Sequence, residues 1–280
     1  MKTGRWPLRA ESEPLAGRGM KSRCVVLIAL VLAACAEAAL PAQRGDSPGP
    51  SPTGRAQAPF DLTGYWVSLV TEDWRVRQFT PPKGDYEPIP LNPTGRARAD
   101  AWDPAKDEAA GDVCKAYGAP ALMRLPTRLH IAWQDDLTLK LETDAGTQTR
   151  LMYFGPTPVD AGGGWQGVSA ASWDAPRPPV PPSFFVAITG GNLANPAVSL
   201  KVVTTRLRPG YLRKNGVPYS ASAVLTEYFD RFDVPGGDPL LVVVQEMVDP
   251  ENLQTPFWTS SHFKRQLDAT GWNPTPCSAR

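Results

Sequence analysis

The chain reads as an all-β protein whose strands close into an antiparallel barrel, with one or two short helices near its N-terminal side. Three observations predict this. Runs of alternating apolar and polar residues recur from Leu62 to Arg265, as expected of strands with one buried face. Turn-forming clusters separate them, among them Gln134-Asp135-Asp136, Asp144-Ala145-Gly146 and Gly236-Gly237. Helix signals are confined to one short region, and the hairpin-like spacing of the strands favours a single closed sheet.

The first strand covers 62–70 (LTGYWVSLV). Asn92-Pro93 ahead of TGRARADAW supplies an N-cap with proline at the first helical position. A short helix is expected there, ending before Asp103-Pro104, with a second turn over 107–110. Strands at 127–133, 137–143 and 147–154 form a meander. Residues 155–196 are irregular, holding Gly162-Gly163-Gly164 and the cluster PRPPVPP at 176–182. They read as a short strand over 167–173 followed by an insertion. Four more strands follow at 199–207, 222–232, 240–248 and 257–265. There is no internal repeat.

The N-terminus is organised for export. Lys21 and Arg23 precede an apolar run, Cys24 to Ala34, that is too short to span a bilayer. Residues 1–19 read as an upstream start or a long leader. The run ends in Leu32-Ala33-Ala34-Cys35, which resembles the lipobox of bacterial lipoproteins. That resemblance implies lipidation at Cys35 as the first mature residue, periplasmic location and a lipid anchor, with Ala36 compatible with the outer membrane. Residues 1–34 are then a signal peptide. Residues 35–59, rich in Pro, Gly, Ser and Ala, form a disordered tether. The single barrel domain occupies 60–280. In an oxidising compartment the two remaining thiols, Cys114 and Cys277, pair as one disulfide. It closes a loop long enough for about 4–5 kcal/mol in the chain-entropy model.

Two further resemblances concern the domain. Gly64-Tyr65-Trp66 resembles the G-x-W signature of lipocalins, and Thr226-Glu227-Tyr228 is similar to their T-D-Y motif with Glu in place of Asp. This likeness implies a ligand-holding barrel in which Arg265 packs on Trp66. The second covers nearly all of 61–265 and is to exported bacterial proteins of uncharacterised activity. Its marks are Leu91-Asn92-Pro93-Thr94-Gly95, Cys114 with Pro120, Trp165-Gln166-Gly167-Val168-Ser169 through Trp173, Glu227, and Asp249-Pro250. The segment between the first two strands departs from lipocalins, and the Pro-rich insertion departs from the second group.

A net charge of +1, with 29 basic and 28 acidic residues interleaved, argues against a nucleic-acid partner. Gly162-Gly163-Gly164 lacks the Lys-Ser/Thr of a phosphate loop, and Gly167-Val168-Ser169-Ala170-Ala171 does not complete a nucleophile elbow. No cofactor and no metal are expected, since neither Cys114 nor Cys277 has a ligand-spaced neighbour. What remains is polar residues on apolar strand faces. Glu227 shares a face with Ala223, Leu225 and Phe229 and is a carboxylate on a buried face, which needs a partner or a shifted pKa. Arg206, on the face of Leu200, Val202 and Thr204, is the expected partner. Glu246 follows Val242 and Val244 in the same manner. His130 would titrate near neutral pH if its side of the strand faces inward, although a surface or structural place is favoured. His262 reads as surface. Arg150 shares a face with Gln148 and Met152 and reads as exposed, with an interior anion clamp as the alternative. Trp165 and Trp173 would line an apolar pocket.

The function these features favour is reversible binding of a small, largely apolar molecule in the barrel by Arg206, Glu227, Arg150, Trp165 and Trp173. The alternative is a cofactor-independent isomerase, cyclase or lyase, with Glu227 or His130 as general base and Arg206 stabilising an oxyanion. An envelope scaffold is the third reading.

Overall fold

Period-two alternation carries into the structure along the long strands. The computed structural model describes residues 54–159, 161, 163–174 and 198–280. The expected signal segment, Cys35, most of the tether and the 176–182 insertion lie outside the described residues. In chain order the barrel strands are β1 (Gly64–Leu69), β2 (Arg128–Asp135), β3 (Thr138–Thr143), β4 (Thr149–Tyr153), β5 (Val168–Asp174) and β6 (Ser199–Thr205). A ribbon of β7 (Gly210–Arg213) and β8 (Val217–Tyr219) follows, then β9 (Val224–Phe232), β10 (Leu240–Val248) and β11 (Phe257–Gln266). Nine strands close in the order β1-β11-β10-β9-β6-β5-β4-β3-β2. The expected all-β barrel is therefore present, with β2, β3 and β4 as its meander.

One pairing departs from antiparallel. Met152 and Tyr153 of β4 lie beside Ser169 and Ala170 of β5 in parallel register. The Gly- and Pro-containing link over 154–167 carries the chain back along the barrel before β5 begins, as a parallel neighbour requires.

Strand β10 shows how the core is built. Leu241, Val243, Gln245 and Met247 are buried, while Val242, Val244 and Glu246 are half-buried on the outer face. Inward residues of this kind form two apolar clusters. One fills an end of the barrel with Trp66, Leu129, Ile131, Leu141, Phe229 and Phe263. The other gathers Leu212, Val217, Tyr219, Leu225, Met247 and Leu253. The barrel is thus packed by its own side chains at one end.

The segment between β1 and β2 holds α1 (Trp74–Gln78), α2 (Pro93–Asp100), α3 (Pro104–Ala109), a 3-10 turn (Lys115–Tyr117) and α4 (Ala119–Leu122). Asn92 caps α2 as expected, its side-chain oxygen accepting from the Gly95 amide at 2.8 Å. Asp103 does the same for α3, accepting from Ala105 at 3.1 Å. Helices α1 and α4 and the β7–β8 ribbon were not expected, being too short to show a period.

The G-x-W stretch has a physical reason. Arg265 pairs with Trp66 across β1 and β11, and its guanidinium carbon lies 5.1 Å from the Trp66 ring centre. Trp66 is fully buried and donates its indole N–H to the Leu62 carbonyl at 2.9 Å. Gly64 has a φ of 109°, and a Cβ there would stand 2.6 Å from Arg265 Nη2. The tryptophan–arginine packing implied by the lipocalin likeness is present, and the closed barrel is compatible with it.

Cys114 and Cys277 form the expected disulfide, with Cα atoms 5.1 Å apart and 163 residues between them in sequence. It ties the C-terminal tail to the 3-10 turn, and Thr275 adds a backbone bond to Asp144 at 2.9 Å.

Candidate functional site

Six neighbouring strands, β4, β5, β6, β9, β10 and β11, each turn one polar side chain inward: Arg150, Ser169, Thr204, Glu227, Gln245 and Ser261. All six are buried, and together they form a polar belt through an otherwise apolar interior. Arg150 is its hub. Its Nε donates to Ser169 Oγ at 3.0 Å and its Nη2 to Thr204 Oγ1 at 2.7 Å. Nη2 also donates to Glu227 Oε2 in an ion pair sealed from solvent. Ser169 and Thr204 hydroxyls are 2.8 Å apart, and Gln245 Nε2 donates to Glu227 Oε1 at 3.2 Å.

The belt is not fully satisfied. Arg150 Nη1, Gln245 Oε1 and Ser261 Oγ are buried without a hydrogen-bond partner. Such groups are few in folded proteins, and each points to a water, a ligand or a strain. The orientation of Gln245 follows from its neighbour: Glu227 accepts, so the amide nitrogen faces it and the carbonyl oxygen faces away.

Gln245 also lines a cleft of about 200 Å³ at the barrel mouth. Leu225, Met247 and Phe257 form its strand wall; Ala121 of α4, Leu212 of β7 and Ile89 form the opposite side. Its rim carries Arg77, Arg124, Arg213 and Lys214. Burial, with Arg124 alongside, pulls the Arg77 guanidinium down to about 10 despite its pairing with Glu72.

No family model, no curated protein and no solved structure matches this chain.

The sequence-predicted residues fall into three places. Glu227 and Arg150 meet inside the barrel, so the partner of Glu227 is Arg150 and not Arg206. Strand β6 ends at Thr205, and Arg206 adopts a left-handed φ of 52° that turns it into solvent. Arg150 is correspondingly interior, not exposed. Period two already put it on the face of Met152, which is fully buried.

His130 sits on the outer face of β2, because Leu129 and Ile131 take the inner one. Its ring stacks on Tyr65 at 4.4 Å and its Nδ1 lies 2.9 Å from Glu142 Oε2. The structure does not bring it to Glu227. Glu246 is likewise on the outer face. His262 Nδ1 lies 2.9 Å from Glu72 Oε2. Neither tryptophan lines the cleft: Arg208 covers the ring of Trp165 at 4.1 Å, and Trp173 packs on Phe60 and Phe154.

Sequence reasoning missed Ser169, Thr204, Gln245 and Ser261 as one group, and the cationic rim with them. Each sits on a strand face that alternation assigns correctly. Their assembly depends on barrel order and register, which no local pattern carries. Among the described residues no group of three or more His, Cys, Asp or Glu side chains is placed to hold a metal.

Proposed function

We propose that this protein reversibly binds a small, largely apolar molecule in the cleft at the barrel mouth, and that it does so as an exported protein tethered by lipid at Cys35. The cellular part rests on the sequence of residues 20–35 alone. The binding part is carried by one observation: Gln245 lines the cleft, is 3% exposed, and its carbonyl oxygen has no partner. Leaving a buried acceptor unmade costs about 1–3 kcal/mol. This oxygen is closed to solvent, so a ligand that donates to it from an otherwise apolar body removes that cost by turning the Gln245 side chain toward the cleft. The volume, about 200 Å³, is below that of pockets for drug-sized molecules, so the ligand is short.

Catalysis would need a base that substrate can reach. Glu227 is 0% exposed and accepts from both Arg150 and Gln245, while His130 faces away from the interior. Binding is the reading the geometry supports best.

The experiment is a titration of ¹⁵N-labelled domain with hexanol, followed by amide spectra. Shifts should concentrate on Leu225, Gln245 and Met247 and vanish in Met247→Trp, which fills the cleft. Absent shifts, or shifts equal in both proteins, contradict the proposal.

A further inference from the structure

The residues lining the cleft carry charge of one sign, while carboxylates of Glu72, Asp73, Asp85 and Glu87 stand behind them. Four of the twenty residues lining it are cations and none is acidic. Two of the four are neutralised from outside: Arg77 by Glu72, and Arg124 by Asp73 at 2.5 Å. Arg213 is different. Its Nε donates to Asn215 Oδ1 at 3.1 Å, Nη1 to the Glu87 carbonyl at 2.8 Å and Nη2 to the Asp85 carbonyl at 2.7 Å.

These three neutral acceptors aim the guanidinium without cancelling its charge, and two of its five N–H groups remain. The carboxylates of Asp85, Asp73 and Glu87 lie near enough to favour that charge without bonding to it; Asp85 is engaged by Arg75 at 3.8 Å and Asp73 by Arg124 at 2.5 Å. Burial nonetheless pulls the Arg213 pKa below its ordinary value. A half-desolvated guanidinium with no carboxylate bonded to it is a binding site for an anion. Beside it, Lys214 Nζ sits 4.7 Å above the Tyr117 ring and reaches the Arg280 carbonyl oxygen at 3.5 Å.

We infer that the molecule taken by the cleft is an amphiphile with an anionic head, carboxylate or phosphate, held at Arg213 and Lys214 with its apolar body toward Leu225 and Met247. This rests on the reading of the cleft as a ligand site. The cationic rim adds what that reading lacks, a sign of charge and an orientation. Leu225, Gln245 and Met247 form the strand wall that takes the body, and the cations lie beside it for the head.

The test compares four probes of equal chain length at low ionic strength, read by the same amide shifts: hexanoate, hexyl phosphate, hexanol and hexylamine. At least one anion should bind about tenfold more tightly than hexanol, a ratio expected of one partly screened charge pair, and hexylamine should bind most weakly. Whichever anion binds more tightly identifies the head group. The advantage should shrink in about 0.5 M salt and in Arg213→Gln. Because Arg213 also braces the backbone at Asp85 and Glu87, Lys214→Gln provides a second variant without that role. It should lose part of the same advantage.

Hexanol binding as tightly as both anions overturns the inference and leaves the cleft reading intact. If no probe moves the cleft amides, both fall.

Discussion

Arg150 of β4 and Glu227 of β9 form an ion pair inside the barrel, their side chains 1% and 0% exposed. The two residues are 77 positions apart in sequence, and only closure of the sheet joins them. Taking both ions out of water is expensive, and their attraction compensates only with further hydrogen bonds. Ser169, Thr204 and Gln245 supply those bonds. The pair divides the interior into a sealed apolar end and a mouth with a cleft, and it fixes which way Gln245 points.

Removing one member should therefore be costly. Glu227→Gln or Arg150→Met leaves the other partner poorly compensated and should cost about 3–5 kcal/mol by urea unfolding. Arg150→Met combined with Glu227→Gln should cost less than the sum of the two singles, because no orphan charge remains. Additive losses would show that the pair does not act as a unit.

Gly64 and Arg265 should be coupled in the same way. Gly64→Ala meets both a φ of 109° and the Arg265 guanidinium, and should destabilise by at least about 1 kcal/mol. Arg265→Ala should lose about 0.5–2 kcal/mol of cation–π contact with Trp66. In the Arg265→Ala background, Gly64→Ala should cost less, since only the backbone strain remains. Thermal melts of the four proteins decide this.

The disulfide closes a 163-residue separation. The chain-entropy model gives such a loop about 5 kcal/mol. Cys114→Ser with Cys277→Ser should lower unfolding free energy by up to that amount while the far-ultraviolet spectrum stays unchanged. A loss near zero would mean that noncovalent contacts hold the tail, among them those of Thr275 with Asp144 and Thr147, and of Arg280 with Glu108.

Glu142 sets one pH dependence. Burial opposes its charge, but hydrogen bonds from His130 and Lys140, at 2.9 and 3.1 Å, together with their charges hold its carboxyl below the ordinary value. A depressed carboxylate lends stability that is complete above 4.5 and lost as pH falls through the lower folded value. Partial exposure limits it to under about 1 kcal/mol. Glu142→Gln should lower stability above pH 4.5 by that amount, flatten the acid limb, and match the parent protein at the acid end.

The fold was legible where the pattern is long. Strand β10 was expected over its observed residues, and α2 was marked by Asn92-Pro93, because alternation and capping are local signals. The parallel β4–β5 pairing was not legible, since an irregular link gives no direction. Glu227 was identified from its apolar neighbours Leu225 and Phe229. Its partner was not, because strand order around the barrel decides which cation lies opposite a carboxylate. Arg206 keeps the alternation of β6 on paper, but the strand stops one residue before it. The cleft was the least legible feature: Arg77, Arg213 and the β10 pair Gln245 and Met247 come from three distant segments.

Native mass spectrometry of the full chain purified from its own host reads whether the cleft is occupied. A bound species of low mass is expected, released under gentle activation and absent from Met247→Trp purified in parallel. A protein found only at its bare mass, or a species retained equally by the filled-cleft variant, would contradict binding in the cleft.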